Sequence, residues 1–189
     1  RIEISEKTTQ VMILAPTHEL VKQISFVVKG IGSMMEGLVV KTLVGGTSVN
    51  EDIKQLNENI PHVVVGSTGR VNDMIRRQHL NTSNIKLFIL DEADEMLSGG
   101  FKDQVYQIFQ NLPTEAKIAV FSATMPPYIL EMTNKFMNNP VKITMEPEKL
   151  NLEGIEQFYL ALNDDNGKYD TLKKLFNFLT VNQTIIYVN

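Results

Sequence analysis

Six short, continuous runs of Val, Ile and Leu, separated by longer segments with helical apolar spacing, leave this chain few folds to adopt. The runs 11–15, 39–44, 62–65, 87–90, 118–121 and 141–145 are too short for helices and apolar at successive positions. That is the pattern of strands buried on both faces. Between them, 19–31, 49–58, 70–77, 101–109 and 128–136 read as helices, and Ser48 with Glu51 has the form of a capping box. Strand and helix in alternation predict an α/β fold, a parallel sheet with helical crossovers on its faces.

From 146 to 154 the chain turns polar and loses periodicity, with Pro147 and Gly154 as breakers. This predicts a first domain over 1–145, a linker over 146–154 and the start of a second domain over 155–189. In the last, a strand (155–162), an acidic turn (163–167), a helix (169–179) and a strand (184–188) are expected. So few residues do not fold alone, and the second domain is expected to be truncated.

Composition narrows the chemistry. Among 189 residues there are no cysteines, which excludes disulfides, thiolate catalysis and Cys-based zinc sites. No apolar run approaches the length of a membrane span, and the first residues lack signal-peptide character, so a cytosolic or nuclear protein is expected. A net charge of −4 argues against a broad basic surface for nucleic acid, so any such binding must rest on local geometry.

In open parallel sheets, ligands collect beyond the carboxyl ends of the strands. The run ending at Leu90 delivers Asp91, Glu92 and Asp94 to such an end, where repulsion is costly unless a cation or hydrogen-bond donors compensate. In a Walker B arrangement the first carboxylate helps hold Mg²⁺ on nucleotide phosphates and the next orients or deprotonates the attacking water. A solvated acidic helix start is the alternative. A metal-dependent phosphohydrolase is disfavoured, because His18, His62 and His79 all lie elsewhere in the sequence.

Other strand ends carry Pro16-Thr17-His18-Glu19-Leu20, Gly45-Gly46, Ser67-Thr68-Gly69-Arg70 and Ser122-Ala123-Thr124. Thr17 and Ser67–Gly69 precede helices, whose free N–H groups bind phosphate oxygens without a lysine, although simple capping is open for Thr17 and Ser67. Gly45 and Gly46 suit a backbone close to a ligand, or a turn. Arg70 suits a phosphate fork or an ion pair, and Asp73 either a partner for Arg70 or an acceptor for a ribose hydroxyl.

Taken in order, these motifs with Asp91-Glu92-Ala93-Asp94 resemble the signatures of the DEAD-box RNA helicase family over the whole chain. The resemblance implies RecA-like domains and an RNA-stimulated ATPase using ATP and Mg²⁺. It implies RNA contacts at Pro16, Thr17, His18, Gly45, Gly46, Ser67, Thr68, Gly69, Arg70 and Asp73. It also implies Asp91 on Mg²⁺, Glu92 on the attacking water, and Asp94, Ser122 and Thr124 coupling hydrolysis to domain closure. Single-stranded or weakly structured RNA and an initiation-factor scaffold protein are the expected partners, with no membrane. Within the family, stretches such as 85–97 and 100–109 resemble the initiation factor 4A group, and 129–137 its exon-junction relative. A cytoplasmic location follows from the first resemblance, a nuclear one from the second.

Three departures stand out. His18 replaces the family's arginine, Thr68 replaces its proline, and no G-x-x-x-x-G-K-[ST] loop occurs. The sequence begins at Arg1, so a longer protein is expected, and the 189 residues alone are expected to hydrolyse no ATP. With the loop's strand expected inside the sheet, its loss should leave two long apolar edges. A non-enzymatic RNA-binding scaffold descended from a helicase is the rival reading.

Overall fold

The computed structural model describes residues 1–137, 139–144, 154–162, 164–180 and 182–188. The chain divides into two compact units, Arg1–Val141 and Lys142–Asn189.

Five parallel strands organise the first unit: β1 (Val11–Leu14), β2 (Val40–Leu43), β3 (Val63–Gly66), β4 (Leu87–Leu90) and β5 (Lys117–Val120), in the order β2-β3-β1-β4-β5. All five strands join in one unbroken sheet whose edges are β2 and β5. The run 141–145 was expected to be a sixth strand, but residues 141–144 join no ladder and Met145 lies outside the described residues. Val141 and Ile143 are exposed, because an apolar segment without a hydrogen-bonded neighbour has no sheet face to cover.

Period two explains the core. Met12, Leu14, Val64, Phe88 and Leu90 point to one face and Ile13, Ala15, Val63 and Val65 to the other, so each face carries its own apolar cluster. Helices cover both faces: α1 (His18–Ile31), α2 (Val49–Glu58), α3 (Thr68–Arg76), α4 (Ala93–Met96), α5 (Lys102–Gln110) and α6 (Pro127–Phe136). Val71, Met74 and Ile108 bury their side chains in the first cluster and Val21 in the second, each burial contributing about 1.5–3 kcal/mol. The short α4 was not among the expected helices, although a helix start was the alternative reading of the acidic run.

Only half of the expected capping box forms. Ser48 Oγ accepts from the Glu51 N–H at 3.3 Å, while the Glu51 carboxylate turns to Gln55 Nε2. At the amino ends of the strands, buried His62 accepts from the Val39 N–H at 3.0 Å through Nδ1 and bonds the Ile4 carbonyl at 3.1 Å through Nε2.

The second unit contains α7 (Gly167–Phe178), close to the expected helix, with the Gly167 N–H on Asp164 Oδ1 at 3.0 Å. The expected strands 155–162 and 184–188 form no ladder among the described residues, and Phe158, Tyr159 and Tyr187 are exposed. Apart from Gly154, the expected linker lies outside the described residues, as do Asn163 of the acidic turn and Asn189.

Candidate functional site at the carboxyl end of the sheet

Register places the motifs together. Leu14 lies abreast of Gly66 and Leu90, Leu43 abreast of Gly66, and Leu90 abreast of Val120, so all five strands end at one level. Backbone bonds continue the ladder one residue further: Ala15 N–H to Gly66 O at 3.2 Å, Ser67 to Leu43 at 2.9 Å, Asp91 to Leu14 at 3.0 Å and Phe121 to Leu90 at 2.9 Å. The motif residues therefore start from hydrogen-bonded, rigid positions.

The loops after β4 and β5 hold the acidic cluster. Asp91 Oδ1 accepts the Glu92 N–H at 3.0 Å. Glu92 itself is held at φ 49°, a left-handed conformation that costs a non-glycine residue about 1–3 kcal/mol. Bonds on either side fix it, from Ala93 N–H to Phe121 O at 3.0 Å and from Met96 N–H to Glu92 O at 3.0 Å.

Asp94 is tied across to the β5 loop. The Thr124 hydroxyl donates to Asp94 Oδ2 at 2.5 Å, and Ser122 Oγ accepts the Asp94 N–H at 3.2 Å while donating to the Thr124 carbonyl at 2.7 Å. The Thr124 bond, aided by Ser122 against a smaller opposing effect of burial, holds the Asp94 carboxyl below its ordinary range. Glu92 shifts the other way: partial desolvation first, then the charges of Glu95, Asp91 and Asp94, raise its pKa. Two neighbouring carboxyls are thus shifted in opposite directions, Asp94 downward and Glu92 upward.

Beside this cluster, the loops after β1, β2 and β3 enclose an open groove of about 490 Å³, lined by Pro16, His18, Gly45, Ser67, Thr68, Gly69, Arg70, Asp73, Phe101 and Gln104. Eight of these ten were expected from sequence, whereas Thr17 and Gly46 lie outside the lining. Thr17 caps α1, its Oγ1 accepting from the Leu20 N–H at 3.2 Å. Ser67 occupies the cap position of α3 but makes no capping bond, so its hydroxyl is uncommitted there. The first-turn N–H groups of α3, at Thr68, Gly69 and Arg70, have no helical carbonyl to bond. His18 stands over Gly45, where a side chain would meet its ring at 3.4 Å. Gly66 is a further requirement that sequence did not reveal: a Cβ there would lie 2.8 Å from the Leu43 carbonyl.

Arg70 departs from the expected phosphate fork. It is buried, with Nη1 on Asp52 Oδ2 and on Thr47 Oγ1 at 2.9 Å, and Nη2 on the Thr47 carbonyl at 2.7 Å. Asp52 shares its other oxygen with Lys41 Nζ at 3.0 Å. Removing one partner of such a buried pair costs about 3–5 kcal/mol. Asp73 does not hold Arg70 either, pairing instead with Arg77 Nε at 2.8 Å.

Phe101 and Gln104 were missed because their segment reads as an ordinary helix start. Gly99 and Gly100 were the available signal, since the break they make before α5 brings that helix's first turn to the groove. Among the described residues, Gln104 Oε1 is buried without a hydrogen-bond partner, as is Asn72 Oδ1 on α3, whose Nδ2 donates to Gln107 at 2.7 Å.

Comparison with known proteins adds the following. The profile of the family described as DEAD/DEAH box helicase matches residues 1–132. The chain is 53% identical over 180 residues to eukaryotic initiation factor 4A of Zea mays, covering 95% of this chain and 43% of that protein. It is 50% identical over 189 residues to eukaryotic initiation factor 4A-3 of Arabidopsis thaliana, covering 100% of this chain and 45% of the relative. Among solved structures, S. cerevisiae Dbp5 bound to RNA and ADP BeF3 matches with a TM-score of 0.80 at 30% identity, over 94% of this chain and 44% of that one. A DEAD box protein from Methanococcus jannaschii matches with a TM-score of 0.71 at 34% identity, over 93% and 46%. The chain thus spans less than half the length of these relatives.

Proposed function

Because this chain belongs to the DEAD/DEAH box helicase family, we propose that the complete protein is an RNA-stimulated ATPase. It holds one RNA strand by its backbone and separates short duplexes during translation initiation in the cytoplasm. The observation that carries this reading is the cross-tie from Asp94 to Thr124 and Ser122, standing on the same strand ends as the groove. RNA in the groove and nucleotide at the acidic loops would press on one hydrogen-bonded rim. The relatives' names support the place in initiation, and an initiation-factor scaffold protein is the fitting partner. Among the described residues no helix is long and apolar enough to cross a membrane.

The residues fit ATP with Mg²⁺. Desolvation first, and then repulsion from Glu95, Asp91 and Asp94, raises the Glu92 pKa; a cation relieves that repulsion, and Asp91 keeps a carboxylate oxygen not engaged by the Glu92 N–H. Among the described residues no three His, Cys, Asp or Glu side chains converge to hold a metal unaided, so Asp91 would act through water alongside phosphate ligands. Bound there, Mg²⁺ would neutralise charge developing on the phosphate oxygens. Glu92 orients the attacking water and accepts its proton, its raised pKa matching that role. Asp94, kept ionised by Thr124 and Ser122, holds the two loops in one arrangement.

In the groove, the α3 amino end, the Ser67 hydroxyl and the Gly45 backbone receive phosphates and riboses, which gives little sequence preference. The decisive experiment is Glu92→Gln in the complete protein: ATP binding is retained and RNA-stimulated phosphate release is lost. Unchanged turnover would remove Glu92 from the mechanism.

A further inference from the structure

The geometry points to Arg70 and Asp52 as positioning residues of the RNA groove, acting through the loop that carries Gly45 and Gly46. This rests on reading the groove as an RNA site. Arg70 lies in the first turn of α3 and Asp52 in α2, 18 positions earlier, yet their side chains are each only 7% exposed and pair with one another. Between them stands Thr47, immediately after the glycines. Its carbonyl accepts from Arg70 Nη2 at 2.7 Å, and its hydroxyl accepts from Nη1 at 2.9 Å while donating to the Val44 carbonyl at 2.9 Å. Lys41, in β2, closes the set on the far oxygen of Asp52.

The glycine loop is thereby fastened at both ends, to Val44 just beyond β2 and to α3 through Arg70. Gly46, at φ +75°, sits inside the fastened span and has open space around it. Glycines alone do not hold a loop in one conformation, since they widen the choices of the backbone. A planar fork with fixed donors supplies what they lack. A guanidinium already bound to a carboxylate, a hydroxyl and a carbonyl has few donors left for a phosphate. Arg70 therefore lines the groove without being its cation.

The test is a titration of single-stranded RNA against the complete protein with a non-hydrolysable ATP analogue, over a series of salt concentrations. Arg70→Ala and Asp52→Asn are each expected to weaken binding by about tenfold, within the range that coupled neighbours show. The double variant is expected to be no weaker than either single one, and the salt slope is expected to stay at the wild-type value in all three. A direct phosphate contact would behave otherwise. Arg70→Ala would flatten the slope by about 0.7, Asp52→Asn would bind as wild type, and the inference would be overturned.

Should these variants melt, Arg70→Lys retains the charge while removing the fork. Weakened binding of both Arg70→Lys and Asp52→Glu supports the inference, because a direct phosphate contact gives Asp52 no role, and wild-type affinity of Arg70→Lys overturns it. Asp52→Glu, which restores the carboxylate, is expected to recover part of the loss. If the wild-type protein binds no RNA, the reading of the groove itself fails, a result distinct from the others.

Discussion

The Thr124 hydroxyl lies 2.5 Å from Asp94 Oδ2, joining residues 30 positions apart across the ends of β4 and β5. It is the largest cause of the lowered Asp94 pKa. A carboxyl whose folded pKa is depressed adds stability above its unfolded value, and that stability is lost as pH falls through the folded one. Thr124→Ala is therefore expected to raise the Asp94 pKa toward its ordinary 3.8 and to reduce stability at neutral pH. Carboxyl NMR titration of Asp94, with denaturant melts at neutral and acid pH, checks both. An unmoved Asp94 would show that Ser122 and the backbone suffice.

Glu92 predicts an acid limb. In its proposed role as base Glu92 works deprotonated, so turnover of the complete protein is expected to fall as pH drops through its pKa, which is raised above the usual 4.5. Burial is the first cause, and the Glu95 charge the largest of the electrostatic ones. Glu95→Gln in the complete protein is expected to shift the limb to lower pH while leaving the plateau rate within about twofold. The pH dependence of kcat tests this, and a limb that stays in place would mean another group sets it.

Gly66 predicts a stability effect without a change of charge. A Cβ at this buried strand end would approach the Leu43 carbonyl to 2.8 Å and collide with a Val71 methyl. Gly66→Ala is expected to destabilise the protein by about 1–3 kcal/mol through overpacking. The denaturant midpoint should fall with the m-value unchanged.

Strand β4 could be read to the residue, because an unbroken apolar run between polar neighbours has one reading in a parallel sheet. Helix α2 was equally plain, with Ser48 marking its start. The loops gathered where strand-end logic put them, bringing Pro16, His18, Gly45 and Ser67–Arg70 to one groove. What escaped was decided by tertiary partners. Arg70 turns inward because Asp52 waits in a different helix, and nothing in the local sequence announces that pairing. The runs at 155–162 and 184–188 have strand composition, but composition cannot supply the neighbour that a strand requires. Gln104 reached the groove through a glycine break that reads equally well as an idle turn.

The level ending of the five strands makes the site intolerant of one kind of change. Each strand is only four residues long and is locked in register with its neighbours. Deleting a residue within one of them would draw its loop back by about 3.3 Å and turn its side chains to the opposite face. Crossover helices and their far-side turns can lengthen or shorten without moving the ledge. Insertions and deletions among descendants of this sequence should therefore gather at the amino ends of the strands, away from Asp91 and Ser67, while the strand lengths stay fixed.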